Sequence, residues 1–282
     1  MRKINKLFKI FIPVLLAAVL VAATVAALAL CLTYQEDIGN IRMRSPLAIF
    51  FVITTIIATV IPVVFISLFK EMKINRTRRD LLCVRFASVF LFIAIAFYEV
   101  ADGIYMVKQG FEAWRFLRVF VALLFLAHMV FTVLPSKITA SPIIRHTLDA
   151  SAPIFTVLSI LTIYFWGGAE PLPEYFQILF IMSYSLFSLF LLFDFKWKVV
   201  KTSARAYTAL SAMAFAFGAV VSIASLIGVF VRDDLFSKDQ LSICIFEIIL
   251  ILGLSLFCLS KTLSVKATVD HIIELSKEQK TK

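Results

Sequence analysis

The sequence between residues 241 and 259 reads LSICIFEIILILGLSLFCL and holds a single charged residue, Glu247. An apolar run of this length matches the roughly 20 residues that an α-helix needs to cross about 30 Å of hydrocarbon. Its apolar residues do not alternate with polar ones as they would in a strand of a membrane barrel. We therefore expect a membrane-spanning helix here.

Seven further stretches have the same character. Hydrophobic residues make up 61% of the 282 residues, charged residues only 16%, and the mean hydropathy is +0.97. A soluble domain carries about 25% charged residues, so this composition excludes a soluble enzyme, a disordered chain and a disulfide scaffold. The sequence predicts an all-α, polytopic integral membrane helical bundle with eight spans. The predicted spans are residues 10–32, 47–69, 83–107, 117–134, 152–166, 176–195, 207–231 and 241–259.

Two of the eight spans are less clear than the others. The fifth is short and begins near Pro153, a position where proline is tolerated because its missing N–H would be unpaired in the first turn. The first follows basic residues, and its Ala27-Leu28-Ala29 resembles a signal-peptide cleavage site. Its apolar run exceeds the roughly 7–15 residues of a signal-peptide core, which favours an uncleaved anchor. Cleavage would leave seven spans.

The distribution of basic residues predicts the orientation. Roughly three quarters of the 28 lysines and arginines precede the first span, follow the last one, or lie around the second, fourth and sixth connections. The positive-inside rule then predicts a cell (inner) membrane protein with both termini in the cytoplasm. Spread over short loops, these residues also explain the net charge of +10 without a nucleic-acid-binding groove. We expect no nucleic-acid partner.

The connections are too short for a separate folded domain, so residues 1–260 are predicted to form one transmembrane helical domain. Residues 261–282 form a short basic amphipathic cytoplasmic tail. Its apolar helical stripe consists of Val265, Val269, Ile272 and Ile273. Such a tail either extends the eighth span, lies on the anionic leaflet or docks a partner.

Small and large side chains predict different surfaces for two spans. In the seventh span, Ala214, Gly218 and Ser222 recur at four-residue spacing, which lets helices approach closely in lipid. This spacing is compatible with a monomer and with a homodimer that packs through the small-residue face of the seventh span. The sixth span carries a phenylalanine series that we expect to face lipid, namely Phe176, Phe180, Phe187, Phe190 and Phe193.

Motifs of soluble catalysis are absent from the sequence. It has no Gly-rich phosphate loop, no His-Glu-x-x-His, no Cys-x-x-Cys and no Gly-x-Ser-x-Gly. Its three histidines are scattered, so we expect no metal site and no cofactor. An intramembrane enzyme acting on a lipid is a minor alternative, because such enzymes cluster polar motifs whereas His128 and Asp233-Asp234 are isolated. The chain is therefore more readily explained as a protein that is not an enzyme.

Ionisable residues inside the spans are the candidates for function, because charge in hydrocarbon is costly and such groups pair or line a wet cavity. Glu99 and Asp102 share a face of the third span. Glu247 lies at a matching depth in the eighth, about 9 Å inside the outer boundary. These carboxylates could couple to proton or cation movement. Alternatively, Arg118 at the start of the fourth span pairs with Asp102 as a structural device.

Two further ionisable residues lie deeper or at the inner boundary. His128 lies near the midplane. It is either a neutral side chain bonded to a backbone carbonyl or a hydroxyl group, or a residue with a proton-relay or ligand-binding role. Asp194 is expected to form an interfacial ion pair with Lys196 or Lys198. The candidate polar cavity predicted from the sequence consists of Glu99, Asp102, Arg118, His128 and Glu247.

Two functions fit these features. The favoured one is a permease-like transporter of a small solute or ion with an outer-leaflet carboxylate cluster. The alternative is a non-catalytic membrane sensor, regulator or assembly partner, which the amphipathic tail supports. The expected partners are the lipid bilayer, a small solute or ion, and either a membrane protein or a second copy of the chain.

Overall fold

A computed structural model describes residues 13–27, 46–67, 72–74, 78–109, 113–133, 141–165, 174–200, 203–231 and 238–267. These residues form eight helices and one pair of short strands. The helices are α1 (Pro13–Ala27), α2 (Pro46–Ser67), α3 (Arg78–Gln109), α4 (Ala113–Val133), α5 (Pro142–Tyr164), α6 (Glu174–Val200), α7 (Ala204–Val231) and α8 (Lys238–Leu263). The strands are β1 (Met72–Ile74) and β2 (Val265–Ala267).

Six of the described helices, α3 to α8, are long and apolar enough to cross a membrane. Helix α1 and the apolar part of α2, Thr55–Val64, are shorter than a full span within the described residues. The chain is therefore a helical, multi-pass, membrane-embedded protein. Of the first predicted span, residues 10–12 and 28–32 lie outside the described residues. The predicted cleavage site, Ala27-Leu28-Ala29, lies outside them except for Ala27.

The six long helices form a closed ring. Each helix packs against the next from α3 to α8, and α8 packs back against α3. Helix α2 packs against α7, and α6 also reaches α8 across the ring. Helix α1 contributes Leu15, Val19 and Ala22 to the same buried core. Because every ring helix has two helical neighbours, its inward face is shielded from lipid and can hold polar side chains.

The two strands tie distant parts of the chain together at one end of the bundle. Strand β1 lies between α2 and α3, and β2 follows α8. They pair antiparallel, with Lys73 opposite Lys266. The six helices α3 to α8 separate the two strands, and an even number of crossings returns the chain to the end from which it left.

Small residues allow α7 to pack closely inside the ring. A Cβ added to Gly218 would collide with Phe187 of α6 and Ser255 of α8. Ala214 and Ser222, one turn away on either side, are also buried. The small-residue face of α7 around Gly218 is thus in contact with α6 and α8 of the same chain.

The phenylalanine series of α6 faces the protein interior, so the prediction that it faces lipid is wrong. Phe176, Phe180, Phe187 and Phe190 are fully buried, and Phe193 packs against the same core. The reason is the position of α6, which contacts α5, α7 and α8. Its lipid-facing surface instead carries smaller aliphatic side chains, namely Ile178, Met182, Leu189 and Leu192.

Helix α5 begins ten residues before its predicted start. The Ser141 hydroxyl caps it by accepting a hydrogen bond from the Ile144 N–H at 3.4 Å, and Pro142 occupies the first turn. Pro153 therefore lies inside the helix and not at its start. This extension brings Asp149 into the bundle, where it is buried.

The described part of the predicted tail also differs from the expected helical stripe. Helix α8 continues through Leu263, which places Lys261 inside the bundle with a 14% exposed side chain. Val265 lies in β2 and not in a helix. The remaining stripe residues, Val269, Ile272 and Ile273, lie outside the described residues.

Most hydroxyl side chains in the described spans form local hydrogen bonds, whereas the buried hydroxyls of Thr55 and Ser225 have no partner among the described residues. Most donate to a backbone carbonyl one turn earlier, as Ser159 does to Phe155 and Ser222 to Gly218. Two pairs also link helices: Ser188 with Thr156 and Ser211 with Thr262, each at 2.8 Å. These bonds let polar residues lie in hydrocarbon at low cost.

Candidate functional site: two buried charged clusters

The arginine cluster forms where α3, α4, α6 and α8 meet. Its members are Tyr98, Glu99, Asp102, Arg115, Arg118, Tyr184 and Glu247. Glu99 and Asp102 are three residues apart on α3, and Arg115 and Arg118 are three apart on α4, so each pair shares one helix face. Packing α3 against α4 brings the two acidic and the two basic groups together.

Arg118 is the centre of the arginine cluster. Its side chain is fully buried, and its Nη2 lies 2.6 Å from Oδ2 of Asp102. Its Nε lies 3.2 Å from Oε1 of Glu99, and its Nη1 donates to the Tyr98 hydroxyl at 3.0 Å. The guanidinium carbon also lies 4.7 Å from the centre of the Tyr98 ring, within cation–π range. One cation thus holds two carboxylates and a phenol of α3.

Arg115 occupies the other side of Asp102. Its Nη1 lies 3.5 Å from Oδ1 of Asp102, and its guanidinium carbon lies 5.4 Å from the centre of the Tyr105 ring. Both oxygens of Asp102 therefore face a guanidinium. Because the Asp102 side chain is fully buried, this pairing offsets the cost of removing its charge from water.

Glu247 joins the cluster from α8 without a guanidinium of its own among the described residues. Its Oε1 accepts a hydrogen bond from the Tyr184 hydroxyl of α6, and the carboxyl group lies beside the Tyr98 phenol. Its Oε2 is buried and has no hydrogen-bond partner in the described part of the chain. The residue is 1% exposed. Glu247 is thus the carboxyl group of the cluster that is held by phenols.

A second group of charged residues, the lysine cluster, lies further along the same helices. Its members are His128, Asp149, Asp194, Lys198, Tyr207 and Lys261. Asp149 Oδ1 lies 2.9 Å from Nζ of Lys198 and 3.1 Å from Nδ1 of His128. One carboxylate of α5 thereby connects α4 with α6.

Asp194 forms the other half of the lysine cluster. It accepts a hydrogen bond from the Tyr207 hydroxyl at 2.8 Å, and its Oδ2 lies 3.2 Å from Nζ of Lys198 and 3.6 Å from Nζ of Lys261. The expected ion pair of Asp194 with Lys198 is present, whereas Lys196 is exposed. Two lysines thus face two aspartates among the described residues of this cluster.

An apolar layer separates the two clusters. Arg118 and His128 lie about 15 Å apart along α4, and Glu247 and Lys261 lie about 21 Å apart along α8. Phe125 on α4 and Phe187 on α6 lie between the clusters along their helices and are fully buried. The ring of Phe155 on α5, also fully buried, lies 5.6 Å from that of Phe125. Aromatic side chains thus fill part of the space between the two clusters.

The structure brings together four of the five residues of the predicted polar cavity. Glu99, Asp102, Arg118 and Glu247 belong to the arginine cluster, and the Arg118–Asp102 pair that we considered as a structural device is present. His128 belongs to the lysine cluster instead. Its partner is the Asp149 carboxylate, where we had considered a backbone or hydroxyl group.

Sequence reasoning missed Arg115, Asp149, Tyr184 and Lys261. Arg115 and Asp149 lay outside the predicted fourth and fifth spans, and Lys261 had been assigned to the tail. The three-residue spacing of Arg115 and Arg118, matched by Glu99 and Asp102, was a usable indication for Arg115. Tyr184 had no comparable pattern around it.

An apolar groove of about 400 Å³ opens on the outer surface of the bundle between α2, α6 and α7. It is lined by Thr55, Ile56, Thr59, Val60, Met182, Ser185, Leu186 and Phe217. The half-exposed Ile56, Val60 and Met182 place it at the lipid-facing surface.

Comparison with known proteins identifies no relative, because no family model, no curated protein and no solved structure matches this chain. The function must therefore be argued from the two clusters themselves.

Proposed function

We propose that the chain transports a small solute or ion and that the arginine cluster is its internal binding site. One observation carries the proposal: three buried carboxyl groups face two buried guanidinium groups among the described residues. A network that only stabilises the fold gains most when every buried charge is paired. A carboxyl group without its own cation is what a site needs if it is to bind and release a positive species.

The arrangement of the two clusters supports the same function. The arginine cluster and the lysine cluster lie toward opposite ends of one helix ring, with the phenylalanine layer between them. In alternating access, a central site opens to one side while contacts on the other side keep it closed. The balanced ion pairs of the lysine cluster are suited to the closed side.

The proposed setting is a cell (inner) membrane, crossed eight times with both termini in the cytoplasm. The basic connections support this orientation through the positive-inside rule. The pairing of β1 with β2 is consistent with it, because six crossings between the two strands return the chain to one side. The apolar residues 10–32 and 47–69 supply the first two crossings in this scheme.

The test is charge displacement across proteoliposomes that contain the purified full chain. Concentration jumps of NaCl, of KCl, of an amino-acid mixture and of protons serve as probes. We expect a current with at least one probe and a reduction of at least about tenfold in Glu99→Gln and Glu247→Gln, since each removes a carboxylate from the cluster.

Asp239→Asn is the matched control, because it makes the same kind of change about 12 Å before Glu247 along α8. It is expected to leave the current unchanged. Currents in the wild type no larger than those in empty liposomes, for all four probes, would exclude electrogenic transport of these species. Equal losses in all three variants would mean that the cluster is not the site.

The alternative function, a non-catalytic sensor, regulator or assembly partner, is favoured by a different observation. The groove between α2, α6 and α7 is apolar and open to lipid, so it offers a seat for the transmembrane helix of another membrane protein. Thr59→Trp, which fills the groove, is expected to abolish co-purification of such a partner and to leave the proteoliposome currents intact. Identical co-purification by Thr59→Trp and by the wild type would remove this support.

A further inference from the structure

We propose that the positive species bound by the arginine cluster is a proton, carried by the Glu247 carboxyl group. The role of this proton in transport rests on the function proposed above, whereas its presence on Glu247 does not. The inference starts from the charges that surround Glu247 on every helix packed near it.

Two of the three carboxyl groups already have a cation. Both oxygens of Asp102 face a guanidinium, at 2.6 Å from Arg118 and 3.5 Å from Arg115. Glu99 Oε1 lies 3.2 Å from Nε of Arg118. Two positive charges thereby offset two negative charges. Glu247 is left with phenol partners only, Tyr184 from α6 and Tyr98 from α3.

An ionised Glu247 would therefore add a negative charge without its own cation to a buried site. An isolated buried carboxylate is far more costly than a neutral carboxyl group, and such groups ordinarily bind a proton instead. Tyr184 donates to Oε1, and the unpaired Oε2 is the oxygen left for the proton. With the neutral acid, the described residues of the arginine cluster carry two positive and two negative charges.

A metal cation fits this position less well than a proton. The buried guanidinium group of Arg118 lies within electrostatic reach of Glu247 and would repel a metal cation. The described residues also provide no group of three histidine, cysteine, aspartate or glutamate side chains that could hold a metal ion. A proton needs one oxygen only.

The exchange step is a simple acid–base reaction. Hydronium that enters from the open side transfers its proton to Oε2 of Glu247, so that one O–H bond breaks in hydronium and one forms on the carboxyl group. When the site opens to the other side, water takes the proton back and the carboxylate is restored. No oxidant, reductant or further reactant takes part.

Infrared spectroscopy of the full chain in proteoliposomes at neutral pH tests this inference. The C=O stretch of a protonated carboxylic acid is separate from the carboxylate bands. We expect this band in the wild type, its loss in Glu247→Gln and its retention in Glu99→Gln. Glu247→Asp is expected to shift the band without abolishing it, and this variant decides the matter if Glu247→Gln does not fold.

The outcomes separate this inference from the proposed function. A band that survives in Glu247→Gln, or that disappears in Glu99→Gln instead, overturns the assignment of the proton to Glu247. A band that behaves as expected in a protein without any current supports the proton on Glu247 and argues against transport. A current without a Glu247-dependent band supports transport and excludes this residue as the proton carrier.

Discussion

Arg118 has no contact with water, so its guanidinium depends on the protein for every hydrogen bond. Its three partners among the described residues, Tyr98, Glu99 and Asp102, all lie on α3. The contact with Asp102, at 2.6 Å, is the shortest of them, and both side chains are fully buried. The strength of this cluster therefore depends most on one carboxylate.

Asp102→Asn is expected to lower stability by about 3–5 kcal/mol, since removing one partner of a buried ion pair leaves the other charge uncompensated. Two guanidinium groups lose their shared acceptor in this variant. The measurement is the midpoint of thermal unfolding of the detergent-solubilised full chain. Glu247→Gln is the comparison, because a neutral amide replaces a neutral acid there and the loss should be much smaller. Equal losses would argue against a protonated Glu247.

The pairing of Arg118 with Asp102 could be predicted from the sequence because it depends on spacing and depth alone. Helical rise places two residues of a hairpin at the same level, and a charge in lipid needs a partner. The same reasoning brought Glu247 to the correct level. It missed Asp149 because the fifth span was predicted to start after that residue. An error in the predicted end of a helix therefore assigns a buried charged residue to a loop.

In a membrane helix, the hydrophobicity of a side chain does not indicate whether the residue faces lipid or the protein interior, as it would distinguish surface from core in a soluble protein. Phe180 and Phe187 were assigned to the lipid surface, yet both are fully buried. Lipid tails are as apolar as a protein core, so hydrophobicity does not separate the two environments. Small residues are more informative, because their advantage in packing is steric. Ala214, Gly218 and Ser222 indeed lie at a close contact between helices.

Gly218→Ala tests that close contact. The added methyl group would meet the Phe187 ring and the Ser255 hydroxyl, so α7 must move away from α6 and α8. We expect a loss of about 1–3 kcal/mol, as for other overpacked cores. The readout is again the unfolding midpoint in detergent.

Gly103→Ala is the matched control for this variant. Gly103 also lies in a ring helix, α3, but a Cβ added there meets nothing within 4 Å. The substitution is expected to leave the midpoint unchanged or to raise it slightly, since alanine favours a helix more than glycine does. If both variants lost the same stability, glycine flexibility and not close packing would be the cause.

At the scale of the whole molecule, the pairing of β1 with β2 constrains the topology more than any single span does. It joins the connection after α2 to the chain after α8, across six helices. This pairing could not be predicted from the sequence, because each strand has only three residues and lies between a helix and a basic segment. If each helix from α3 to α8 crosses the membrane once, the β1–β2 pairing places the connection after α2 and the chain after α8 at the same face of the membrane.

A disulfide between Lys73→Cys and Lys266→Cys tests this arrangement, since directly opposed residues of antiparallel strands have Cβ atoms about 4.5–5.5 Å apart. The four native cysteines are first replaced by alanine. A protease site inserted between α7 and α8 then divides the chain, and oxidation is expected to keep the two fragments together on a non-reducing gel. Ser141→Cys with Lys266→Cys is the control pair and should not cross-link, because Ser141 lies at the start of α5 and not on β1. Fragments that separate equally in both pairs would refute the strand pairing, and with it the argument that an even number of crossings lies between the two strands.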